Sequence, residues 1–223
     1  MSFLCVFDID DTLLRLKPGI ASENDVPGPQ DYPVIVPTDV SWSYIAYYKH
    51  TEMAFRVQTH LDTLLAFFQS SSFYRMALWT MGTREYSLAV RDALTKMYGL
   101  PPDFFLFVWS RAEVRDLMYC KDLRQVYAAF PVFGAHNTLL FDDRDVNVHH
   151  MWNWTNGIVL PPFEESNNVF RVLRLLRYLE RYYRERVAED PQWTQQPVLT
   201  PQRTRELYRF IVASEEAASA NIP

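Results

Sequence analysis

The residues of this sequence that are best suited to chemistry lie near its start, where an apolar run ends in carboxylates. Phe3–Phe7 has the length and the aromatic and β-branched content of a fully buried strand, and Asp8 and Asp10 follow it. Because they are two residues apart, these carboxylates project to the same side of an extended chain. They would repel each other unless a cation lay between them, and Mg²⁺ takes one or two carboxylates together with water and phosphate. This spacing suggests metal-assisted phosphoryl transfer, and a helix N-terminus, which also favours Asp and Thr, is the alternative for these residues alone.

Further polar groups are predicted to lie at the same edge of a sheet as this first cluster. Thr80 follows a second short apolar strand, and Asp142 and Asp143 follow another. Lys121 stands where a helix is predicted to begin. In an open parallel sheet, ligands bind beyond the carboxyl ends of the strands. A metal, a nucleophile, a hydroxyl donor and a fixed cation would then meet in one crevice, which is far more specific than any of these residues taken separately.

The elements that must position these residues alternate between short apolar strands and amphipathic helices. Helical spacing of apolar residues predicts the helices, and short apolar runs closed by Gly, Pro or Asp predict the strands. The alternation predicts an α/β fold, a Rossmann-like parallel sheet flanked by helices, with a small β-insertion after the first strand and no large cap domain. The predicted main strands are 3–7, 76–79, 104–109, 139–141 and 158–160. The insertion covers about 33–58, with strands at 34–36, 42–48 and 54–57. The predicted helices are 61–68, 86–97, 123–130 and 168–187.

The chain divides into a domain at 1–187 and a C-terminal part at 188–223. Residues 188–200 are polar, with two prolines and two adjacent glutamines, as is typical of a linker. A last helix is predicted to begin at Thr200, with an apolar stripe that must dock on the domain or on a protein partner. The stripe consists of Leu207, Phe210 and Ile211.

Composition places the chain among ordinary globular proteins. It has 223 residues, of which 48% are hydrophobic and 22% charged, and this fits one domain with an appendage. The net charge of −5 gives no reason to expect a surface for nucleic acid or another polyanion. Two cysteines, Cys5 and Cys120, give no disulfide framework and indicate a reducing compartment. No stretch has the apolar length of a membrane span and no signal peptide precedes the acidic cluster, so we expect an intracellular protein of the nucleus or cytoplasm with no membrane partner.

The acidic, hydroxyl and lysine residues together resemble the four motifs of the haloacid dehalogenase superfamily of phosphatases. In motif order they are Asp8, Asp10 and Thr12 (Asp-x-Asp-x-Thr), then Thr80, then Lys121, then Asp142 and Asp143. Within that superfamily the chain is most similar to the FCP/SCP branch, the NLI-interacting-factor-like protein phosphatases that act on the C-terminal domain of RNA polymerase II. The resemblance covers roughly residues 1–183, and the segments that carry the closer likeness are 55–62, 79–86, 121–123 and 159–163.

The resemblance implies a role for each catalytic residue. Asp8 would attack phosphorus and form an aspartyl-phosphate, and a carboxylate needs no base to activate it because it is already ionised at neutral pH. Asp10 would protonate the leaving oxygen and then deprotonate the hydrolytic water. Thr80 would donate a hydrogen bond to the transferred phosphoryl group, and Lys121 would balance its charge.

The resemblance also implies Mg²⁺ as the cofactor. The ion would be held by the Asp8 side chain, the Asp10 backbone carbonyl and the acidic pair of the fourth motif. Within that pair we favour Asp143 as the direct ligand and Asp142 as its neighbour, paired with Lys121.

The function expected from these residues is that of a phosphoric monoester hydrolase, a Mg²⁺-dependent phosphatase. A modest insertion leaves the site open, which favours a phosphate carried on a bulky phosphoprotein or phosphopeptide over a small metabolite. Resemblance makes phosphoserine or phosphothreonine the first choice. Phosphotyrosine and a nucleic-acid terminal phosphate are the alternative substrates. A non-catalytic scaffold that keeps the fold is the other alternative, but it would be expected to have a broken first motif, whereas Asp8 and Asp10 are both present.

Overall fold

A five-stranded parallel sheet forms the centre of the fold and confirms the predicted α/β class. The computed structural model of the chain describes residues 2–16, 44–48, 51–114, 120–161, 168–190, 192 and 195–206, with the backbone alone at 44–48 and 51–54. The strand order is β6-β5-β1-β7-β8, so the first strand lies in the middle, between the strands that lead to the second and fourth motifs. The strands are β1 (Phe3–Phe7), β5 (Tyr74–Trp79), β6 (Phe105–Trp109), β7 (Thr138–Asp142) and β8 (Gly157–Val159).

Helices cover both faces of this sheet because successive side chains of each strand point to opposite sides. Phe3 and Phe7 belong to one apolar cluster, which also contains side chains of α1, α2 and α5. Leu4 and Val6 belong to a second cluster, which contains side chains of α3. The helices are α1 (Leu61–Ser70), α2 (Arg84–Tyr98), α3 (Leu123–Ala129), α4 (Asp145–Val148) and α5 (Asn168–Glu189), with a short 3₁₀ helix at Arg111–Glu113.

A three-stranded antiparallel sheet of order β2-β4-β3 lies between β1 and α1 in the chain and corresponds to the predicted β-insertion. Its strands are β2 (Leu14–Leu16), β3 (Tyr44–Tyr48) and β4 (Thr51–Val57). Strand β4 begins at Thr51, three residues before the start of the predicted strand at 54–57. The predicted strand at 34–36 lies outside the described residues. Among the residues that the structure describes, nothing in this region forms a large cap.

Helix α5 differs from its predicted apolar stripe at one position. Leu173, Leu176, Leu179 and Tyr183 are buried as predicted, but Phe170 is 46% exposed. Its ring lies 4.7 Å from that of His60, at the start of α1. Its place in the buried stripe was therefore wrong, because Val169, which is 3% exposed, and not Phe170 faces the core in the first turn of α5.

The segment at 195–206 packs on the domain. Val198 is 3% exposed and its backbone N–H donates to Ala135 O at 2.9 Å. Arg203 is also buried, and its guanidinium donates to the carbonyls of Gln196 and Pro197 at 2.9 and 3.0 Å. Residues 201–206 are helical, which agrees with the helix predicted to begin at Thr200, while its apolar stripe at 207–211 lies outside the described residues.

Helices long and apolar enough to span a bilayer do not occur in the described part of the chain.

Candidate active site

The chain reverses sharply after β1, and this turn brings the first motif against the fourth. The backbone N–H of Asp8 donates to Phe141 O at 2.9 Å, which extends the pairing of β1 with β7. Asp11 has a positive φ of 55°, a conformation that Asp adopts more readily than most residues. Past this turn, the Thr12 hydroxyl accepts a hydrogen bond from the backbone N–H of Asp143 at 3.2 Å.

A buried lysine lies between two of the predicted carboxylates. The Lys121 side chain is completely buried, and its Nζ donates to Asp8 Oδ1 and, at 2.6 Å, to Asp142 Oδ2. Burial by itself lowers the pKa of Lys121, but the two carboxylates outweigh it and hold that pKa above its ordinary value. Burial raises the pKa of Asp8 to about 7, although the Lys121 ammonium acts to lower it, so Asp8 is less readily ionised at neutral pH than expected from the sequence. A buried ammonium is retained only when it is paired and hydrogen-bonded, so this arrangement fixes the position of Nζ.

Three carboxylates of the site are suited to hold a divalent cation. Oxygen atoms of Asp8, Asp142 and Asp143 all lie within 4.8 Å of one another. Burial, together with the neighbouring carboxylates of Asp142 and Asp11, raises the pKa of Asp143 to about 6. Hard oxygen ligands and an excess of negative charge are what Mg²⁺ requires. The residues present therefore fit a magnesium ion.

The members of the acidic pair have different surroundings. Both carboxylate oxygens of Asp142 accept hydrogen bonds from Asn147 Nδ2, at 3.0 and 3.1 Å, and Oδ1 also accepts from the backbone N–H of Arg144 at 2.9 Å. Together with Lys121, these donors give each carboxylate oxygen of Asp142 two hydrogen bonds. Asp143 is only partly buried. That Asp143 and not Asp142 binds the ion directly stays a prediction.

A second group of contacts holds Asp10. The Thr80 hydroxyl donates to Asp10 Oδ2 at 2.8 Å and accepts from the backbone N–H of Gly82 at 2.9 Å. The Tyr86 hydroxyl donates to Asp10 Oδ1 at 2.5 Å. Thr80 was expected to serve the phosphoryl group, and the structure places its hydroxyl on the side chain expected to act as acid and base.

All six residues expected to form the site lie at the carboxyl ends of the parallel strands, in two contacting groups. One group is Asp8, Lys121, Asp142 and Asp143, and the other is Asp10 with Thr80. The first-motif turn joins the two groups, since Asp8 and Asp10 are neighbours in it. The structure thus brings together residues from positions 8 to 143 of the chain.

Three residues in contact with the site were given no role from the sequence. Tyr86 lies within a segment that carries the family resemblance, six residues after Thr80 and in the first turn of α2, and this placement was the available signal. Asn147 and Asn153 lie in α4 and in the turn that follows it. Nothing in their spacing distinguishes them from ordinary turn asparagines, so sequence reasoning had no signal for them.

A family model described as NLI interacting factor-like phosphatase matches residues 3–190. The chain belongs to this family. The match includes every residue of the site, and the predicted resemblance to NLI-interacting-factor-like phosphatases is confirmed. None of the curated proteins searched matches the chain.

Two solved structures of Fcp1 resemble this member of the NLI interacting factor-like phosphatase family. The first is the structure of Fcp1, an essential RNA polymerase II CTD phosphatase, with 20% identity and a TM-score of 0.46 over 73% of this chain and 42% of that chain. The second is an arginine-to-alanine variant of the fission yeast RNA polymerase II CTD phosphatase Fcp1 bound to beryllium fluoride, with 18% identity and a TM-score of 0.46 over 100% of this chain and 67% of that chain. The chain therefore spans less than half of the length of the first of these phosphatases.

Proposed function

We propose that this chain is a Mg²⁺-dependent phosphatase that uses Asp8 as its nucleophile and acts on phosphoserine or phosphothreonine in proteins. The observation that carries the proposal is the buried contact of Asp8 with Lys121, beside Asp142 and Asp143. A carboxylate next to a fixed ammonium and two further acidic groups is suited to attack phosphorus at a site that neutralises the transferred charge. Membership of the NLI interacting factor-like phosphatase family supports the same reaction.

In the first step, an oxygen of Asp8 attacks phosphorus and the bond from phosphorus to the ester oxygen breaks. Asp10 gives its proton to the leaving oxygen, and the products are an alcohol and an aspartyl-phosphate on Asp8. In the second step, water attacks phosphorus and gives a proton to Asp10. Phosphate leaves, Asp8 is regenerated as a carboxylate, and Asp10 is ready for the next cycle.

The remaining residues of the site hold these two aspartates in place and balance charge. Lys121 lies against Asp8 and can neutralise the phosphoryl oxygens during transfer, while the Thr80 hydroxyl orients Asp10. Asp8, Asp143 and the backbone carbonyl of Asp10 would hold Mg²⁺. When bound, the ion neutralises phosphate charge and orients the phosphoryl group for in-line attack.

A phosphoprotein substrate is favoured by the surroundings of the site. Among the described residues no cap domain covers the carboxyl edge of the sheet. A groove of about 580 Å³ lies between the 3₁₀ helix and α3, and Trp109 and Glu113 line it together with Asp122, the residue after Lys121. None of the six residues expected to form the site lines this groove, so the substrate class rests on the uncovered edge of the sheet and on membership of the phosphatase family.

The proposal is tested by measuring phosphate release from p-nitrophenyl phosphate and from matched phosphoserine, phosphothreonine and phosphotyrosine peptides, with Mg²⁺ or with EDTA. We expect Mg²⁺-dependent release, fastest from phosphoserine or phosphothreonine, and a loss of at least about 10³-fold in Asp8→Asn and Asp10→Asn. Asp92→Asn, at an exposed ion pair in the middle of α2, is the matched control and should keep wild-type activity. An inactive wild type, or full activity in Asp8→Asn, would favour the scaffold alternative. A preference for the phosphotyrosine peptide, or for a 5′-phosphorylated oligonucleotide added as a further substrate, would replace the proposed substrate class.

A further inference from the structure

Two asparagine side chains connect the backbone around Lys121 to the acidic pair. Asn147 is 1% exposed and Asn153 is completely buried. Asn147 Nδ2 donates to both oxygens of Asp142, and its Oδ1 accepts from the backbone N–H of Lys121 at 3.4 Å. Asn153 Nδ2 donates to Lys121 O and to Asn147 O, and its Oδ1 accepts from the backbone N–H of Leu123 at 3.1 Å. Together the two amides form a continuous set of hydrogen bonds from Asp142 to Leu123.

The chemistry of the partners fixes the orientation of each amide. An ionised carboxylate and a backbone carbonyl only accept, whereas a backbone N–H only donates. If the nitrogen and oxygen of either amide were exchanged, the amide oxygen would face an acceptor and the amide nitrogen would face a backbone N–H donor, so the hydrogen bonds would be lost. Each amide is locked in one orientation, and a network in which every buried group has a partner is rigid.

The backbone that carries Lys121 has little regular structure of its own. Residues 120–122 belong to neither a strand nor a helix, and α3 begins only at Leu123. The N–H and C=O of Lys121 therefore lack the partners that a helix or sheet would supply. Asn147 accepts from the Lys121 N–H and Asn153 donates to the Lys121 C=O. The two asparagines therefore supply the hydrogen bonds that regular secondary structure would otherwise give this residue.

We infer that Asn147 and Asn153 are positioning residues that hold the Lys121 ammonium between Asp8 and Asp142. This inference rests on the proposed phosphatase function in so far as Lys121 is catalytic. The asparagines act through Lys121 and Asp142, and they orient the backbone of the first and the carboxylate of the second. The function of the pair follows from its position, since a small displacement of the Lys121 backbone moves Nζ away from the carboxylate that forms the bond to phosphorus.

The chain supplies a matched control at the opposite end of the sheet. Asn156 is completely buried, and its Nδ2 donates to Ala135 O and Thr138 O at 2.7 Å each. Its Oδ1 accepts from the Thr155 hydroxyl at 2.8 Å. Asn156 thus has the same residue type, burial and number of side-chain hydrogen bonds as Asn153. Its side-chain partners lie before β7, at the amino end of β7 and before β8, and none of them belongs to the proposed site. Its backbone N–H donates to Asn153 O at 2.7 Å, a contact that Asn156→Ala keeps.

The kinetic test compares Asn147→Ala, Asn153→Ala and Asn156→Ala at saturating Mg²⁺, with thermal unfolding measured for each. We expect kcat to fall by about 10- to 100-fold in the first two, as is usual for groups that orient catalytic residues. KM should stay within about threefold, because Lys121 touches the carboxylate that reacts and acts most strongly in the transition state. Asn156→Ala should lose comparable thermal stability yet keep kcat within about twofold of the wild-type value.

If the alanine variants do not fold, Asn147→Ser and Asn153→Ser replace them, and the same changes in kcat and KM are expected. An equal fall of kcat in Asn156→Ala, or an unchanged kcat in Asn153→Ala, overturns the inference.

A second readout does not depend on activity. A buried, hydrogen-bonded ammonium exchanges its protons slowly, so Lys121 should give an ordered ¹⁵Nζ–¹H signal by NMR, assigned by its absence in Lys121→Met. We expect this signal in the wild type and in Asn156→Ala, and its loss or shift in Asn147→Ala and Asn153→Ala. If the wild type hydrolyses no phosphate ester but the signal behaves in this way, the proposed function fails and the positioning role stands. If the signal is unchanged in both site variants, the positioning role fails even in an active enzyme.

Discussion

The Tyr86 hydroxyl donates a 2.5 Å hydrogen bond to Oδ1 of Asp10. Burial raises the pKa of Tyr86 far above its ordinary value, and the neighbouring Asp10 carboxylate raises it further, so the phenol stays protonated and donates. Thr80 holds the other oxygen of the same carboxylate at 2.8 Å. Asp10 is thus held at both oxygens, which fixes its direction relative to the turn that carries Asp8.

Removing the Tyr86 hydroxyl should slow the reaction without unfolding the protein. A hydrogen bond to a charged group contributes about 1.5–3 kcal/mol, so Tyr86→Phe is expected to lower kcat by about tenfold or more. Tyr74→Phe is the matched control, since the buried Tyr74 hydroxyl donates to Leu176 O at 2.7 Å within the core around α5. Steady-state kinetics on both variants test this prediction. It fails if the two substitutions lower kcat equally.

A methyl group at Gly82 should disturb the same contact from the backbone side. A Cβ at Gly82 would lie 2.4 Å from Tyr86 Cδ1 and 3.3 Å from the Thr80 hydroxyl, so the Tyr86 ring must move. Gly82→Ala is therefore expected to resemble Tyr86→Phe in its kcat. In Gly134→Ala the nearest atoms belong to the His136 side chain, at 3.0 Å, which can move, so this variant should keep wild-type kinetics. Wild-type kcat in Gly82→Ala would show that the Tyr86 position does not matter for the reaction.

The stability of the metal-free protein should fall as pH rises, with Asp8 as a main cause. The pKa of Asp8 is raised from 3.8 to about 7, and that of Asp143 from 3.8 to about 6. Between pH 3.8 and about pH 7, the folded protein holds protons on these carboxyl groups that the unfolded chain has released. The free energy of unfolding therefore falls as the pH rises through this range. Asp8→Asn removes the larger part of this pH dependence, so in EDTA its free energy of unfolding should change less with pH than that of the wild type.

Because Mg²⁺ favours the ionised carboxylates, it should raise the melting temperature of the wild type more at about pH 8 than at about pH 5. A Mg²⁺ effect that is equal at both pH values would contradict this prediction.

Replacing Lys121 should be costly because it leaves carboxylates buried without their counter-ion. Removing one partner of a buried ion pair costs about 3–5 kcal/mol, and we expect Lys121→Met to approach the lower figure at about pH 8. The cost should be smaller at about pH 5, since Asp8, whose pKa is raised to about 7, can then bind a proton. Urea denaturation of both proteins at the two pH values measures the difference. An equal cost at both would mean that Lys121 does not balance the charge of Asp8.

The sequence was sufficient for the part of the site that strand ends determine. Asp8, Thr80 and Asp142 each end or follow a parallel strand, and the rule that ligands bind beyond the carboxyl ends of such strands places them together. The hydrogen bonds of Asn147 and Asn153 could not be predicted in this way. They join residues 26 and 32 positions apart in the chain, and which turn asparagine faces which backbone group is decided only by the packing of α4 against the sheet.

The departures in the fold have a similar origin. Strand β2 has the alternating sequence Leu-Arg-Leu, but three residues are too few to predict a strand, and it forms because β4 pairs with it. Phe170 lies three residues before the buried Leu173, but Val169 and Val172 face the core in this part of α5 instead. Val198 lies in a polar segment that looks like a linker, and its burial depends on hydrogen bonds from 198 and 199 to loops at the amino ends of β7 and β8. Local patterns predict elements, whereas these features depend on partners that are distant in the chain.

The nucleophile assignment is tested most directly by chemical trapping of the intermediate. Wild-type protein is mixed with p-nitrophenyl phosphate and Mg²⁺, quenched in acid within a turnover, and reduced with borohydride, which converts an aspartyl-phosphate to homoserine. Peptide mass spectrometry then locates the homoserine. We expect homoserine at position 8 alone, and none when substrate is omitted. Homoserine at another aspartate, or continued turnover with position 8 always recovered as aspartate, would contradict it.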